Sequence, residues 1–198
     1  MTLPDEIPLF PLDVVLFPGG PLPLRIFEPR YVSMVGRCLR EDLPFGVVPI
    51  SAGSEAGGDA SFHLLGSSAR IHDFDSLPDG MLGITCRGER RFRVLEHRSQ
   101  PDRLVLGRVE WLPEPVREPV PPQFRSLERL LGRILDAEGI ERYRALLEPD
   151  WDSADWVVNR LAEVMPLPNG ARHMLLGIDE PLERFELLYA LLQDQRLV

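Results

Sequence analysis

Lysine is missing from this chain: all 22 basic side chains are arginine, set against 31 acidic ones. The absence excludes a Schiff-base amine, the lysine of a phosphate-binding loop and a Ser-Lys catalytic dyad together. Cysteine is scarce as well. Cys38 and Cys86 stand far apart and share no metal-ligand spacing, so two free thiols in a reducing compartment are expected. No apolar stretch approaches the roughly 18 residues that a membrane span needs. The opening Met1-Thr2-Leu3-Pro4-Asp5-Glu6 has neither the basic start nor the apolar run of a secretory signal. These absences predict a soluble, cytoplasmic protein. Catalytic signatures are wanting too: G-x-S-x-G, H-E-x-x-H, C-x-x-C and G-x-x-x-x-G-K do not occur.

What is present has an ordinary globular balance, 44% hydrophobic and 27% charged, over 198 residues. That length holds one large domain or two small lobes. The net charge of −9 repels phosphate backbones and disfavours nucleic acid as a partner. The pattern changes midway. Residues 1–112 read as short strands broken by proline and glycine, 113–122 as a proline-dense linker, and 123–198 as helices. The small-residue stretch 51–60 is expected to be a mobile loop.

In the first half, 14–17 reads as a short apolar strand stopped by Pro18-Gly19-Gly20. Residues 21–27 place Leu22, Leu24 and Ile26 on one face, and their prolines assign them to a sheet edge or a bulge. A helix starts at Pro29, with Val32, Val35 and Leu39 as its inner stripe. Further strands follow at 45–50, 68–74, 81–96 and 104–112. Asp79-Gly80 marks a hairpin turn, and Val105, Val109 and Trp111 share a face. In the second half, Phe124, Leu127, Leu130, Leu131, Ile134 and Leu135 recur at helical spacing up to Gly139. Helices are also expected over 140–147, from a cap at Asp152 or Ser153 to Val164, and over 169–176. A last one, capped by Asp179, turns Leu182, Phe185, Tyr189 and Leu192 inward.

Few residues invite chemistry. The four histidines, His63, His72, His97 and His173, are scattered. His72 with Asp73 and the nearby Ser67 or Ser68 is the best general-base candidate, but a strand turns neighbours to opposite faces. Asp73, Asp75 and Asp79 fit no known calcium-loop spacing and read as a solvated acidic turn. Arg87, Arg90, Arg91 and Arg93 could form a nucleic-acid face. Without interleaved aromatics, pairing with carboxylates such as Glu89 and Glu96 is the expectation.

Three stretches are less generic. Pro8-Leu9-Phe10-Pro11-Leu12, then Val15-Leu16-Phe17-Pro18-Gly19 and Leu22-Pro23-Leu24, resemble the first strands of the substrate-binding N-terminal domain of Lon proteases. Asp79-Gly80 followed by Ile84, Gly88, Arg91, Phe92 and Val94 is similar to that family's hairpin. Asn159-Arg160-Leu161-Ala162, Met174-Leu175-Leu176 and Glu183-Arg184-Phe185 resemble its last helices. The resemblance implies an α+β architecture: a PUA-like β-barrel lobe followed by a helical bundle lobe. It also implies a non-catalytic role in holding unfolded or degron-bearing polypeptide, with a protease or chaperone as further partner and no cofactor or metal. The Ser-Lys protease module of full-length Lon would need a lysine, and this chain has none.

Peptide capture requires an exposed apolar patch with a polar rim, or an open sheet edge. The strand at 21–27 and the helix start beyond it offer both, with Phe27 and Tyr31 as anchors and Arg25, Glu28 and Arg30 as rim. Trp111 is expected to line a cleft between lobes. The competing expectation is that these aromatics cover the core. An RNA-binding protein using the arginine cluster, and a hydrolase, are the alternative functions.

Overall fold

Prolines conceal the first strand. β1 (Glu6–Leu12) carries Pro8 and Pro11, yet it pairs antiparallel with β7 (Val105–Trp111) and parallel with β3 (Phe45–Ala52). Both of its faces are buried: Ile7 and Leu9 join one apolar cluster, Phe10 and Leu12 another. A strand covered on both sides reads as a continuous apolar run and shows no alternation. The apolar 14–17 stretch, expected as a strand, is instead a loop that fills the core with Leu16 and Phe17. These assignments come from a computed structural model that describes residues 3–52 and 61–194; of the expected 51–60 loop, 53–60 lie outside the described residues.

The chain divides into two compact units, Met1–Leu112 and Pro113–Val198. In the first, β1 pairs with β7, β7 with β6 (Leu82–Ser99), β6 with β5 (Leu65–Ser76), β5 with β3, and β3 with β1 again. The ring closes into a barrel and leaves these five strands fewer open edges. β2 (Pro21–Ile26) pairs with the start of β6, and the two-residue β4 (Ser61–Phe62) with β3. Asp79-Gly80 lies in the β5–β6 turn as expected, with Gly80 at φ +80°.

One joint ties the sequence motifs together. The Gly19 N–H donates to the Gly88 carbonyl at 2.7 Å, and the Gly88 N–H donates to the Gly20 carbonyl at 2.8 Å. A Cβ on Gly88 would stand 2.2 Å from the Phe17 carbonyl oxygen, so the approach requires glycine. The turn at residues 18–20 therefore docks on β6 and presses Leu16 and Phe17 into the core.

α1 (Pro29–Glu41) starts at Pro29 as expected, but its buried stripe is Arg30, Tyr31, Met34, Val35 and Cys38. Val32 and Leu39, expected inside, are 43% and 39% exposed. The polar and aromatic members of the true stripe hid its phase.

In the second unit, α2 (Arg125–Leu135), α3 (Glu141–Ala145), α4 (Ala154–Val164), α5 (Asn169–Leu176) and α6 (Pro181–Asp194) follow a 3-10 turn at Pro122–Phe124. Ser153 caps α4 by accepting from the Trp156 N–H at 3.2 Å. α4 packs against α2, α5 and α6. The inner residues of α6 are Pro181, Arg184, Phe185, Leu188 and Leu192. Leu182 and Tyr189, expected inward, are partly exposed. Within 113–122, Val120 is buried and the Glu118 carbonyl accepts from the Ala154 N–H at 2.7 Å, so the later part of this segment is pinned to the second unit.

Candidate functional site

β2 ends the β2–β6–β5 ribbon, and α1 starts three residues beyond it. Its ladder with β6 runs from Pro21↔Arg87 to Ile26↔Leu82, and no strand covers its other side among the described residues. Proline is tolerated on an edge strand when the missing donor faces away from the ladder. Pro21 and Pro23 thus leave the open edge rich in carbonyls and poor in N–H groups, ill suited to accept a continuous added strand.

The expected peptide-binding residues separate into two groups. Phe27 is 65% exposed, and Arg25 beside it is an exposed side chain paired with Asp79. Arg30 and Tyr31 are buried, which corrects their expected places as rim and anchor. The Tyr31 ring stacks on Phe10 at 3.8 Å between centroids, so it belongs to the barrel core. The Arg30 guanidinium lies 4.6 Å from the Tyr31 ring centre, pairs with Glu28 at 2.8 Å and donates to the Arg103 carbonyl at 3.0 Å. Arg30 and Glu28 thereby clamp the helix start to the β6–β7 turn. Trp111 packs edge-on against Phe92 and donates its indole N–H to the Pro4 carbonyl at 3.0 Å. Of the named residues, Phe27 is the large apolar side chain left open to a ligand.

The catalytic candidates are not assembled. Ser67 and Ser68 are fully buried while His72 is exposed, and the Ser68 hydroxyl accepts from the Arg90 N–H at 3.1 Å. Asp73 accepts from the Phe74 N–H at 2.9 Å. Among the described residues no group of His, Cys, Asp and Glu could hold a metal ion. The arginine cluster makes no continuous basic face either. Arg91 is 3% exposed and Arg90 donates to the Leu112 carbonyl at 3.0 Å. The carboxylates expected to pair with it go elsewhere: Glu89 to Arg70 and Glu96 to Arg108, each at 2.6 Å. The Glu89 hydrogen bond holds the Arg70 pKa above its usual range, and Arg108 lowers that of Glu96.

Both cysteines are free and buried in the barrel core. Burial pushes the Cys38 thiol up to about 11 and the Cys86 thiol to about 12, so neither is a nucleophile near neutral pH. In the second unit, burial and then the nearby Glu163 raise Tyr143, whose hydroxyl donates to that carboxylate.

Comparison with known proteins places this architecture. The family model of the ATP-dependent protease La (LON) substrate-binding domain matches residues 6–194. The chain belongs to the Lon substrate-binding domain family. The crystal structure of a Lon N-terminal domain protein from Xanthomonas campestris superposes with a TM-score of 0.76 at 38% identity, covering 93% of this chain and 97% of that one. The N-terminal domain of a Mycobacterium avium complex Lon protease shares the fold alone, at 18% identity and a TM-score of 0.65, over 92% of this chain and 95% of that one. Lon protease from Parabacteroides distasonis is 27% identical over 98% of this chain and 24% of its own length. Protein cereblon from Xenopus tropicalis is 35% identical over 57% of this chain and 25% of its own length. The chain thus spans about a quarter of these curated relatives. Among the described residues no helix is long and apolar enough to cross a membrane.

Proposed function

We propose that this chain is a non-catalytic, cytoplasmic module of the Lon substrate-binding family that holds unfolded or degron-bearing polypeptide, serving as an adaptor in proteolysis or quality control. The observation that carries the reading is the family match across residues 6–194. The reading takes the first unit as a PUA-like barrel lobe and the second as a helical bundle lobe, with the ligand on the barrel surface beside Phe27. A large aromatic side chain 65% exposed next to a donor-poor edge suits recognition by side chains more than by strand addition.

The test is titration of the whole chain into a fluorescent, permanently unfolded protein, such as reduced and carboxymethylated lactalbumin. Saturable binding in the micromolar range is expected, with no binding to the same protein in its native form. Phe27→Ala should weaken binding about thirtyfold, the loss of an aromatic anchor worth about 2 kcal/mol. Absence of binding by the parent chain would overturn the reading.

A further inference from the structure

α2 carries a charge pattern that its own packing leaves unexplained. Leu127, Leu131 and Leu135 are its buried face. Arg125, Arg129 and Arg133 each stand two residues earlier, about 200° round the helix, and all three are exposed. Among the described residues none of these three forms an ion pair. In the same unit Arg117 pairs with Asp150, Arg144 with Asp136, Arg160 with Glu163 and Arg184 with Asp155.

Helix stability does not account for the stripe. Like charges four residues apart repel, and Arg125 is the first residue of α2, at the positive end of the helix dipole. Gly132, three residues beyond Arg129 and seven beyond Arg125, lies on the same side. A glycine inside a helix costs stability, and a Cβ here would meet nothing within 4 Å, so no neighbour in the fold calls for it. Its effect is to leave the backbone of α2 bare beside the arginines, where a second main chain can approach.

The stripe is also short. Past Arg133 the exposed side chains turn acidic, with Asp136, Glu138 and Glu141, and α2 itself has no aromatic residue. A long phosphate polymer would run onto those carboxylates and find no ring on which to stack its bases. Arginines four residues apart follow one another at about 6 Å along the helix axis. Alternate side chains of an extended chain repeat at about 6.6 Å, so three carboxylates at alternate positions can each meet one guanidinium.

We infer that the face of α2 carrying Arg125, Arg129 and Arg133 binds a short extended stretch of acidic polypeptide, its carboxylates at alternate positions and its main chain passing over Gly132. This contact goes beyond the capture of apolar segments beside Phe27 and does not depend on it: it belongs to the second unit and selects by charge.

The experiment uses the whole chain and two fluorescent peptides, one alternating glutamate with threonine and the other glutamine with threonine. The glutamate peptide should bind about tenfold tighter at low salt, and the preference should fade as salt rises. Arg129→Gln with Arg133→Gln should remove the preference without lowering the melting temperature, since the change relieves repulsion. Gly132→Leu should raise the melting temperature, leucine being the better helix former, yet weaken the glutamate peptide at least fivefold. Equal affinity for the two peptides, or full binding by either variant, overturns the inference. So does a uridine oligonucleotide of equal length that binds tighter than the glutamate peptide. Phe27→Ala should leave the glutamate peptide bound as before, and its release there would move the contact to Phe27 and sink this site. If the parent chain holds carboxymethylated lactalbumin but not the glutamate peptide, this site falls and the earlier reading stands. The reverse result removes the earlier reading and keeps this one.

Discussion

At the scale of single residues, the barrel unit is most exacting where backbone meets backbone. Gly88→Ala would drive a methyl group to 2.2 Å from the Phe17 carbonyl oxygen, which cannot swing away as a side-chain tip could. A loss of about 3 kcal/mol or more is expected in denaturant unfolding. Gly132→Ala is the matched control. That glycine lies in α2 with nothing within 4 Å of a built Cβ, so alanine should stabilise the helix by about 1 kcal/mol. The thiols give a prediction in pH. Their folded values stand above the ordinary 9.0, so between pH 9 and about 11 the unfolded chain gives up protons that the folded chain keeps. Stability is then fully present below pH 9 and falls as pH rises. The rise from 9.0 to about 11 at Cys38 alone corresponds to about 3 kcal/mol. Urea titrations at pH 8 and pH 10 would measure the decline, and thiol reagents at pH 8 should label only unfolded protein.

At the scale of elements, α4 and α6 are joined by buried charge. Arg184 is 1% exposed; it meets the Asp155 carboxylate at 2.5 Å and donates to the Asn159 side-chain oxygen at 2.7 Å and the Ile178 carbonyl at 2.5 Å. Arg184→Met should cost about 3–5 kcal/mol, because Asp155 is left without its cation. Adding Asp155→Leu should recover part of that loss, and a double-mutant cycle followed by thermal melting would measure it. The sequence signal for this network was present but mute. Asn159 and Glu183-Arg184-Phe185 stood out as family-like residues, yet nothing in helical periodicity says that an arginine faces inward. The same limit shifted the stripe of α1, where Arg30, Tyr31 and Cys38 are buried and Val32 and Leu39 are not. Turns and caps were easier to read, because Gly80, Gly139 and Ser153 announce themselves by local chemistry. β1 carries no alternating strand signature, because Pro8 and Pro11 interrupt it and both its faces are covered, and the resemblance alone places Pro8–Leu12 among the first strands. Of the candidate site, Phe27 was legible as an aromatic beside a proline edge. The burial of Tyr31 depends on Phe10 across the barrel, which no local pattern encodes.

At the scale of the whole molecule, the two units meet in sequence at Leu112 and Pro113. Val116 is 80% exposed, whereas Arg117 pairs with Asp150 at 2.6 Å and Val120 is buried. Elastase, which cuts after small aliphatic residues, should therefore cleave first either after Val116 or within the small-residue stretch 51–60 in a brief digestion. Mass spectrometry of the fragments decides it: an earlier cut within α2 or α6 would contradict the packing described for them.

The strand pairing that closes the barrel also sets an order of events. Leu9 stands opposite Val105 of β7 and beside Gly46 of β3, so the first strand of the barrel waits for almost the last residues of its unit. Until β7 emerges, Ile7 and Leu9 have half of their cover, and the nascent barrel presents an open apolar seam. Pairings this distant in sequence make folding slow, on the order of milliseconds to seconds. During synthesis this unit is thus a chain whose apolar seam is itself in need of shielding.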